Sequence, residues 1–170
     1  MDPASAAAIH TNNVKRVIRA LEYYRQTGKP ISQHNEEQRQ KESPYNLAYF
    51  VLNDERTRLY ERIDARIDQM LADGLIDEVK RLKKMGYHKG MVSMQGLGYK
   101  EILSFLDGEV PLNEAVRILK RDTRHFAKRQ LTWFRRESNV VWVDKDKFAF
   151  NDEKILEYML SVCRERKIIE

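Results

Sequence analysis

Two short apolar runs constrain the possible fold of this chain more than any other feature. Tyr45 to Leu52 is interrupted by a polar residue only at Asn46, and Asn139 to Val143 repeats the pattern more briefly. Runs of this length without polar alternation read as strands covered on both faces, the habit of parallel sheets. Two such strands cannot cover each other's faces, so their neighbours are expected from a partner chain or from polypeptide outside these 170 residues. The chain is therefore expected to be mostly helical, with about two strands of an incomplete parallel sheet.

The remainder reads as helices. Asp2 to Ala8 forms a short one, and Asn13 caps a second from Val14 to about Thr27 that Gly28 ends. Val17, Ala20, Leu21 and Tyr24 make its apolar stripe. Arg16 and Arg19 lie near its positive end, which points to an anion nearby; pairing of Arg19 with Glu22 is the alternative. Gln33 to Ser43 holds almost nothing to bury and reads as a linker. Asp54 then caps a helix to about Ala72, with Leu59, Ile63, Ile67, Met70 and Leu71 buried and Arg58, Arg62 and Arg66 along one edge. Arg66 has no carboxylate three or four residues away, so its guanidinium fork awaits a diphosphate or a carboxylate from elsewhere in the fold.

The segment Ser93 to Glu101 leaves a glycine-bearing loop and opens a helix through Ile102 to Leu106. Gln95, Gly98, Tyr99 and Lys100 stand where a phosphate or ribose can approach the backbone, although Gly-x-Gly without a third glycine is a common arrangement. Tyr99 and Lys100 either reach a nucleotide or cover the loop.

Thr123 to Arg136 is the densest basic segment. In a helix extended back to Leu112, Arg117, Arg121, Arg124, Lys128 and Arg135 fall within about 60° of one another. Opposite them lie Leu112, Ala115, Val116, Leu119, Phe126, Ala127, Trp133 and Phe134. Five like charges on one ridge imply an anionic partner or distant carboxylates, with a solvated basic face as the plain alternative. Gln130 and Thr123 project from the apolar stripe and need partners there. Trp133 and Phe126 have rings that stack on bases in other settings, but their place on the stripe favours core packing.

Composition excludes several classes. With 42% hydrophobic and 34% charged residues the chain is not broadly disordered, and no apolar run approaches the roughly 20 residues of a membrane span. The start carries no basic segment followed by an apolar one, so a cytoplasmic location is expected and no membrane partner. Cys163 is alone, which permits no internal disulfide. The net charge of +5 favours nucleic acid or phosphorylated partners. Thr27-Gly28-Lys29-Pro30 does not replace a phosphate-cradling P-loop, because Pro30 stands where the helix must start. His10, His34, His88 and His125 show no metal-ligand spacing, and no nucleophile and base stand paired.

Dispersed motifs carry a resemblance over nearly the whole chain. Asp2-Pro3 with Ala6 and Ile9-His10, Arg16-x-x-Arg19-Ala20-Leu21-Glu22, Thr27-Gly28-Lys29, and Gln95-x-x-Gly98-Tyr99-Lys100-Glu101 resemble the tRNA dimethylallyltransferases. The strongest agreement is Thr123-Arg124, Ala127-Lys128-Arg129-Gln130 and Thr132-Trp133, followed by Arg135. The Thr11-Asn12-Asn13 segment departs from the family's Pro-Asn-Asp, a change in a helix cap.

The resemblance implies transfer of a dimethylallyl group from dimethylallyl diphosphate to N6 of the adenosine beside the anticodon. It implies the α/β class, with a P-loop kinase-like core and an inserted helical domain. Residues 1–43 are then expected to be the end of the insertion and residues 44–170 the C-terminal part of the core. Arg16, Arg19, Gln95, Gly98, Tyr99, Lys100, Arg124, Lys128, Arg129, Gln130 and Arg135 are expected on the tRNA anticodon stem-loop, and Arg66 on the diphosphate. The P-loop, the general base and the holder of Mg2+ are expected in a missing N-terminal half, so this chain alone is expected to be inactive. A non-catalytic, basic helical RNA-binding protein derived from the family is the alternative.

Overall fold

The computed structural model describes residues 1–41 and 43–170; Glu42, inside the expected linker, lies outside the described residues. The chain divides into two compact units, Met1–Asn46 and Leu47–Glu170.

The first unit is three helices, α1 (Pro3–Ala8), α2 (Val14–Thr27) and α3 (Ile31–Gln40). Asp2 caps α1 by accepting from Ser5 N at 3.0 Å, and the same carboxylate takes Ser32 N at 3.1 Å and Ser32 Oγ at 2.6 Å. One side chain thus fastens α1 to the start of α3. Gly28 ends α2 in the left-handed conformation, φ 71°, which spares it a Cβ penalty. Asn13 stands at the α2 N-cap but makes no side-chain capping bond, contrary to expectation.

The expected linker Gln33 to Ser43 is instead mostly helix, since α3 runs to Gln40. Its polarity reflects a solvated helix held by its own surface: Gln33 donates to Glu37 at 2.9 Å and Gln40 to Glu36 at 3.2 Å, both four residues apart. The apolar stripe of α2 is left largely uncovered within this unit. Val17, Ala20, Leu21 and Tyr24 line, with Ala6 of α1 and Ile9 just past its end, an open cleft of about 480 Å³.

The hydrogen bonds from Ser32, first, and from Ser5 hold the Asp2 carboxyl well below the usual carboxylate range. A depressed folded value means that the ionised form stabilises the unit above the unfolded carboxylate pKa, and that this contribution is lost as pH falls through the folded value. Helix content and melting temperature of the first unit are therefore expected to fall between about pH 4 and pH 2. Asp2→Asn should flatten that dependence; an unchanged acid limb in the variant would remove Asp2 from the account.

The second unit runs β1 (Tyr49–Asn53), α4 (Arg56–Ala72), α5 (Leu75–Lys84), α6 (Tyr99–Leu106), α7 (Leu112–Phe134), β2 (Val140–Asp144) and α8 (Asp152–Glu165), with single 3-10 turns before α6 and α8. β1 and β2 pair with each other in parallel, Tyr49 opposite Val140 through Asn53 opposite Asp144. Asn53 Nδ2 donates to Asp144 Oδ1 at 2.8 Å at the end of the ladder. Among the described residues the chain is thus mostly helical with one two-stranded parallel sheet.

Both strands differ from their expected bounds. Tyr45 to Ala48 stays outside β1, and Tyr45 and Leu47 are exposed. Within β1 only Val51 is buried, whereas Leu52 is 56% exposed, so the apolar run is not covered on both faces by these residues. Asn139 lies just before β2 with φ 65°, a left-handed position that ends a turn rather than extends a strand.

The core lies where α4 to α7 meet. Ile67 of α4, Leu75 and Val79 of α5, Met94 of the 3-10 turn before α6, Ile102 and Leu103 of α6, and Leu119 of α7 form one buried cluster. The expected cap of α4 moves by one residue. Glu55 accepts from Arg58 N at 3.1 Å, while the buried Asp54 carboxylate takes Glu55 N at 2.8 Å and neighbours Arg58 and Arg62 at 3.5 and 3.7 Å. Gly98 precedes α6 with φ 101°, and its N–H donates to Glu101 Oε2 at 2.8 Å, closing the N-terminus of that helix.

Candidate functional site

The sequence places a single basic ridge on α7; the structure divides it into a neutralised shaft and an unpaired end. In the first half every ridge cation has a carboxylate. Arg117 bonds Glu114 at 2.6 and 2.7 Å, and Arg121 bonds Asp122 at 2.8 Å. Lys120 reaches Asp68 at 2.6 Å, and Arg124 Nη1 donates to both oxygens of Asp64 at 2.6 and 2.7 Å. Asp64 and Asp68 lie one turn apart on α4, so they present two charges in step with Lys120 and Arg124. Hydrogen bonding from Arg121 holds the Asp122 carboxyl below its ordinary pKa.

From His125 onward the pattern changes. Lys128, Arg129, Arg135 and Arg136 make no ion pair among the described residues. His125, Lys128, Arg129, Thr132, Trp133 and Arg136 line a groove of about 460 Å³ that no carboxylate enters. Lys128 and Arg135 also border a small recess with Arg56 and Tyr60 of α4. His125 and Arg136 were not among the expected site residues. Their signal was available, since positions 125, 128, 129, 132 and 136 share one helical face.

Two expectations for α7 are corrected and one is met. Trp133 is 53% exposed and Phe126 44% exposed, so within this chain neither packs in the core. Gln130 is exposed and leaves no buried amide to satisfy. Thr123 satisfies its own hydroxyl by donating to Leu119 O at 2.8 Å. The apolar stripe is real up to Leu119, where α4 and α6 cover it, and loses that cover toward the C-terminal end.

The loop before α6 forms a second polar cluster. Gln95 donates to Lys89 O, Lys100 lies 3.3 Å from Glu101 and 3.9 Å from Asp122, and these side chains line a cavity of about 280 Å³ with Ser104, Val110 and Ile118. Lys100 is thereby partly neutralised. Tyr99 covers the loop rather than opening into it: its hydroxyl donates to Glu78 Oε1 at 2.5 Å, which raises the phenol pKa above its ordinary value.

Arg66 stands apart from both clusters. Its α4 neighbours Arg58 and Arg62 share Asp54, whereas Arg66 is exposed and has no carboxylate partner among the described residues. In the first unit, Arg16 and Arg19 are likewise exposed without partners among the described residues, and the Arg19 to Glu22 pair does not form. No group of three or more His, Cys, Asp or Glu among the described residues is placed to hold a metal ion. The described residues do not fit a Mg2+ site.

The chain is similar to known proteins over most of its length. A family model described as IPP transferase matches residues 1–137. The chain is 59% identical over 169 residues to the tRNA dimethylallyltransferase of Lachnoclostridium phytofermentans, covering 99% of this chain and 54% of that protein. To the tRNA dimethylallyltransferase of Acetivibrio thermocellus it is 56% identical, covering 92% and 50%. Among solved structures, the full-length tRNA isopentenylpyrophosphate transferase of Bacillus halodurans matches with TM-score 0.70 at 46% identity, over 98% of this chain and 50% of that one. The chain spans about half the length of the curated relatives it matches. With a family match over residues 1–137 and identity above one half to such relatives, the chain belongs to the IPP transferase family.

Proposed function

We propose that this chain supplies the tRNA-facing part of a tRNA dimethylallyltransferase. The reaction joins N6 of the adenosine beside the anticodon to C1 of the dimethylallyl group. The C1–O bond breaks with its electron pair leaving on the diphosphate, and N6 loses one proton. The observation that carries this reading is the unpaired basic end of α7 in a chain of this family. Cations elsewhere on that helix are offset by carboxylates; these alone are left for an external polyanion.

Residues 1–43 act in this proposal as the end of the inserted helical domain and residues 44–170 as the C-terminal part of the core. Arg16 and Arg19 contact the tRNA from the first unit. Lys128, Arg129 and Arg135 take phosphates, with Gln95, Gly98 and Lys100 at the loop. Arg124 contributes less to RNA because Asp64 already holds it. Arg66 binds the diphosphate. The P-loop and general base come from an N-terminal half, with Mg2+ held there, and the reaction takes place in the cytoplasm. No helix among the described residues is long and apolar enough to cross a membrane.

Salt dependence separates the two kinds of cation. Lys128→Ala is expected to reduce the log K against log salt slope for an anticodon stem-loop by about 0.7 to 0.9, one phosphate's worth. Arg124→Ala should leave the slope nearly unchanged and instead cost about 0.5 to 1 kcal/mol of stability for its part-exposed pair. Equal slopes for the two variants would undo this division.

The test of the function is transfer of a labelled dimethylallyl group to an adenosine-containing anticodon stem-loop, by this chain alone and with a P-loop half from a relative supplied in trans. Label in RNA only in the mixture supports the proposal. Stem-loop binding without transfer in either case favours the non-catalytic RNA-binding alternative.

A further inference from the structure

We infer that Glu101 is a positioning residue: its buried charge holds the Lys100 ammonium in one place beside the cavity before α6, ordered for a phosphate oxygen of the RNA. This rests on the RNA-facing reading above and gives Glu101 a part in it beyond closing the helix.

The helix end accounts for only half of this side chain. Glu101 is 4% exposed, and its Oε2 accepts from Gly98 N at 2.8 Å. A glutamine closes a helix in this way as readily as a glutamate, because the cap requires only an oxygen. The charge needs a cause of its own, since taking a carboxylate out of water costs far more than a helix N-terminus returns. The second oxygen, Oε1, is buried and accepts no hydrogen bond. The one ion pair it makes among the described residues is with Lys100 Nζ, at 3.3 Å.

Lys100 is thus held without being used up. Its ammonium lies 3.3 Å from Glu101 Oε1 and 3.9 Å from Asp122 Oδ2, and neither contact is a hydrogen bond. Its three N–H donors remain for an oxygen from outside, and the side chain is partly exposed. Arg124 is the contrast, since its Nη1 already donates to both oxygens of Asp64. Asp122 is committed to Arg121 at 2.8 Å, so the closer and more deeply buried Glu101 supplies the restraint.

The backbone beneath Lys100 is fixed as well. On one side the Tyr99 hydroxyl donates to Glu78 of α5 at 2.5 Å, and on the other Ser104 Oγ donates to Lys100 O at 3.1 Å. Gly98, at φ 101°, turns the chain into this geometry, which an L side chain rarely adopts. With stem and ammonium both anchored, a flexible four-carbon side chain meets a phosphate with less freedom left to lose.

The experiment is a double-mutant cycle on the whole chain. Affinity for an anticodon stem-loop, and its salt slope, are measured for wild type, Lys100→Ala, Glu101→Gln and the double variant. Lys100→Ala should lower the slope by about 0.7 to 0.9, one phosphate's worth. Glu101→Gln keeps an oxygen for Gly98 N but loses the charge, and should weaken binding roughly 2- to 10-fold, the cost of ordering one long side chain. Lys100→Ala alone should weaken it by a similar factor, yet by less than about twofold when added to Glu101→Gln.

Equal costs of Lys100→Ala in both backgrounds, or tighter binding by Glu101→Gln, overturn the inference while the RNA-facing reading stands. A second measurement needs no variant to fold. By NMR on the ps–ns scale, the end of the Lys100 side chain in the wild-type chain should be more ordered than that of exposed Lys84, and equal mobility overturns the inference. A wild-type chain that binds no stem-loop overturns both readings; an ordered Lys100 in that chain locates the fault in the RNA-facing reading rather than in the hold of Glu101.

Discussion

Arg66→Ala in a complete enzyme of this family is expected to lower kcat/KM for the prenyl diphosphate by about 100-fold while leaving tRNA affinity within about twofold. The figure corresponds to about 2.7 kcal/mol at 1.36 kcal/mol per decade, the low end for removing one donor from a developing anion. Arg58 and Arg62 on the same helix edge share Asp54, but Arg66 has no carboxylate among the described residues and is exposed. Its replacement therefore removes no internal bond, and the melting temperature should hardly move. Arg66→Lys should restore only part of the rate, because a point charge replaces a planar fork matched to two phosphate oxygens. Steady-state kinetics with the diphosphate varied, alongside tRNA titration, checks the assignment. Comparable losses toward both substrates would sink it.

Ile102→Ala should have the largest effect on stability, a loss of about 2 to 5 kcal/mol of unfolding free energy. Ile102 is fully buried on α6 in the cluster that joins α4, α5 and α7, so truncation leaves a cavity bounded by several helices. Against the 5 to 15 kcal/mol typical of whole domains, that is a large share. The backbone bond from Ile102 N to Gly98 O at 3.1 Å does not involve the side chain, so the cost is one of packing. Urea unfolding with an unchanged m-value and a lower midpoint is the expected record. A cost below about 1 kcal/mol would mean that the site collapses around the smaller side chain.

What the sequence made legible was local. Helical periodicity and end signals located α2, α4 and α7, and the two apolar runs identified the strands. Arg66 stood out because only its own helical neighbours had to be inspected. What escaped depends on partners remote along the chain. Asp64 lies 60 residues from Arg124, and no spacing rule brings them together, so one ridge of five cations seemed uniform when half of it is neutralised. The exposure of Trp133 escaped for a related reason: a period of 3.6 specifies a face but not how far along the helix its cover extends. Helix α3 was missed because burial patterns do not report a helix that buries almost nothing. The cap of α4 was displaced because Asp54 is committed to Glu55 N and to two arginines.

The parallel ladder between β1 and β2 has a consequence for synthesis. Its end residues, Asn53 and Asp144, are separated by 91 positions. At 5 to 20 residues per second a ribosome needs roughly 5 to 20 s to travel that distance, and throughout that interval β1 has emerged without its partner. Helices α4 to α7 need only local contacts to begin forming and are made during this delay, whereas the sheet must wait for the last third of the chain. Nascent chains paused between α7 and β2 therefore carry an unpaired Phe50-Val51-Leu52 edge, and slowed translation there would be the moment at which a chaperone matters most for this protein.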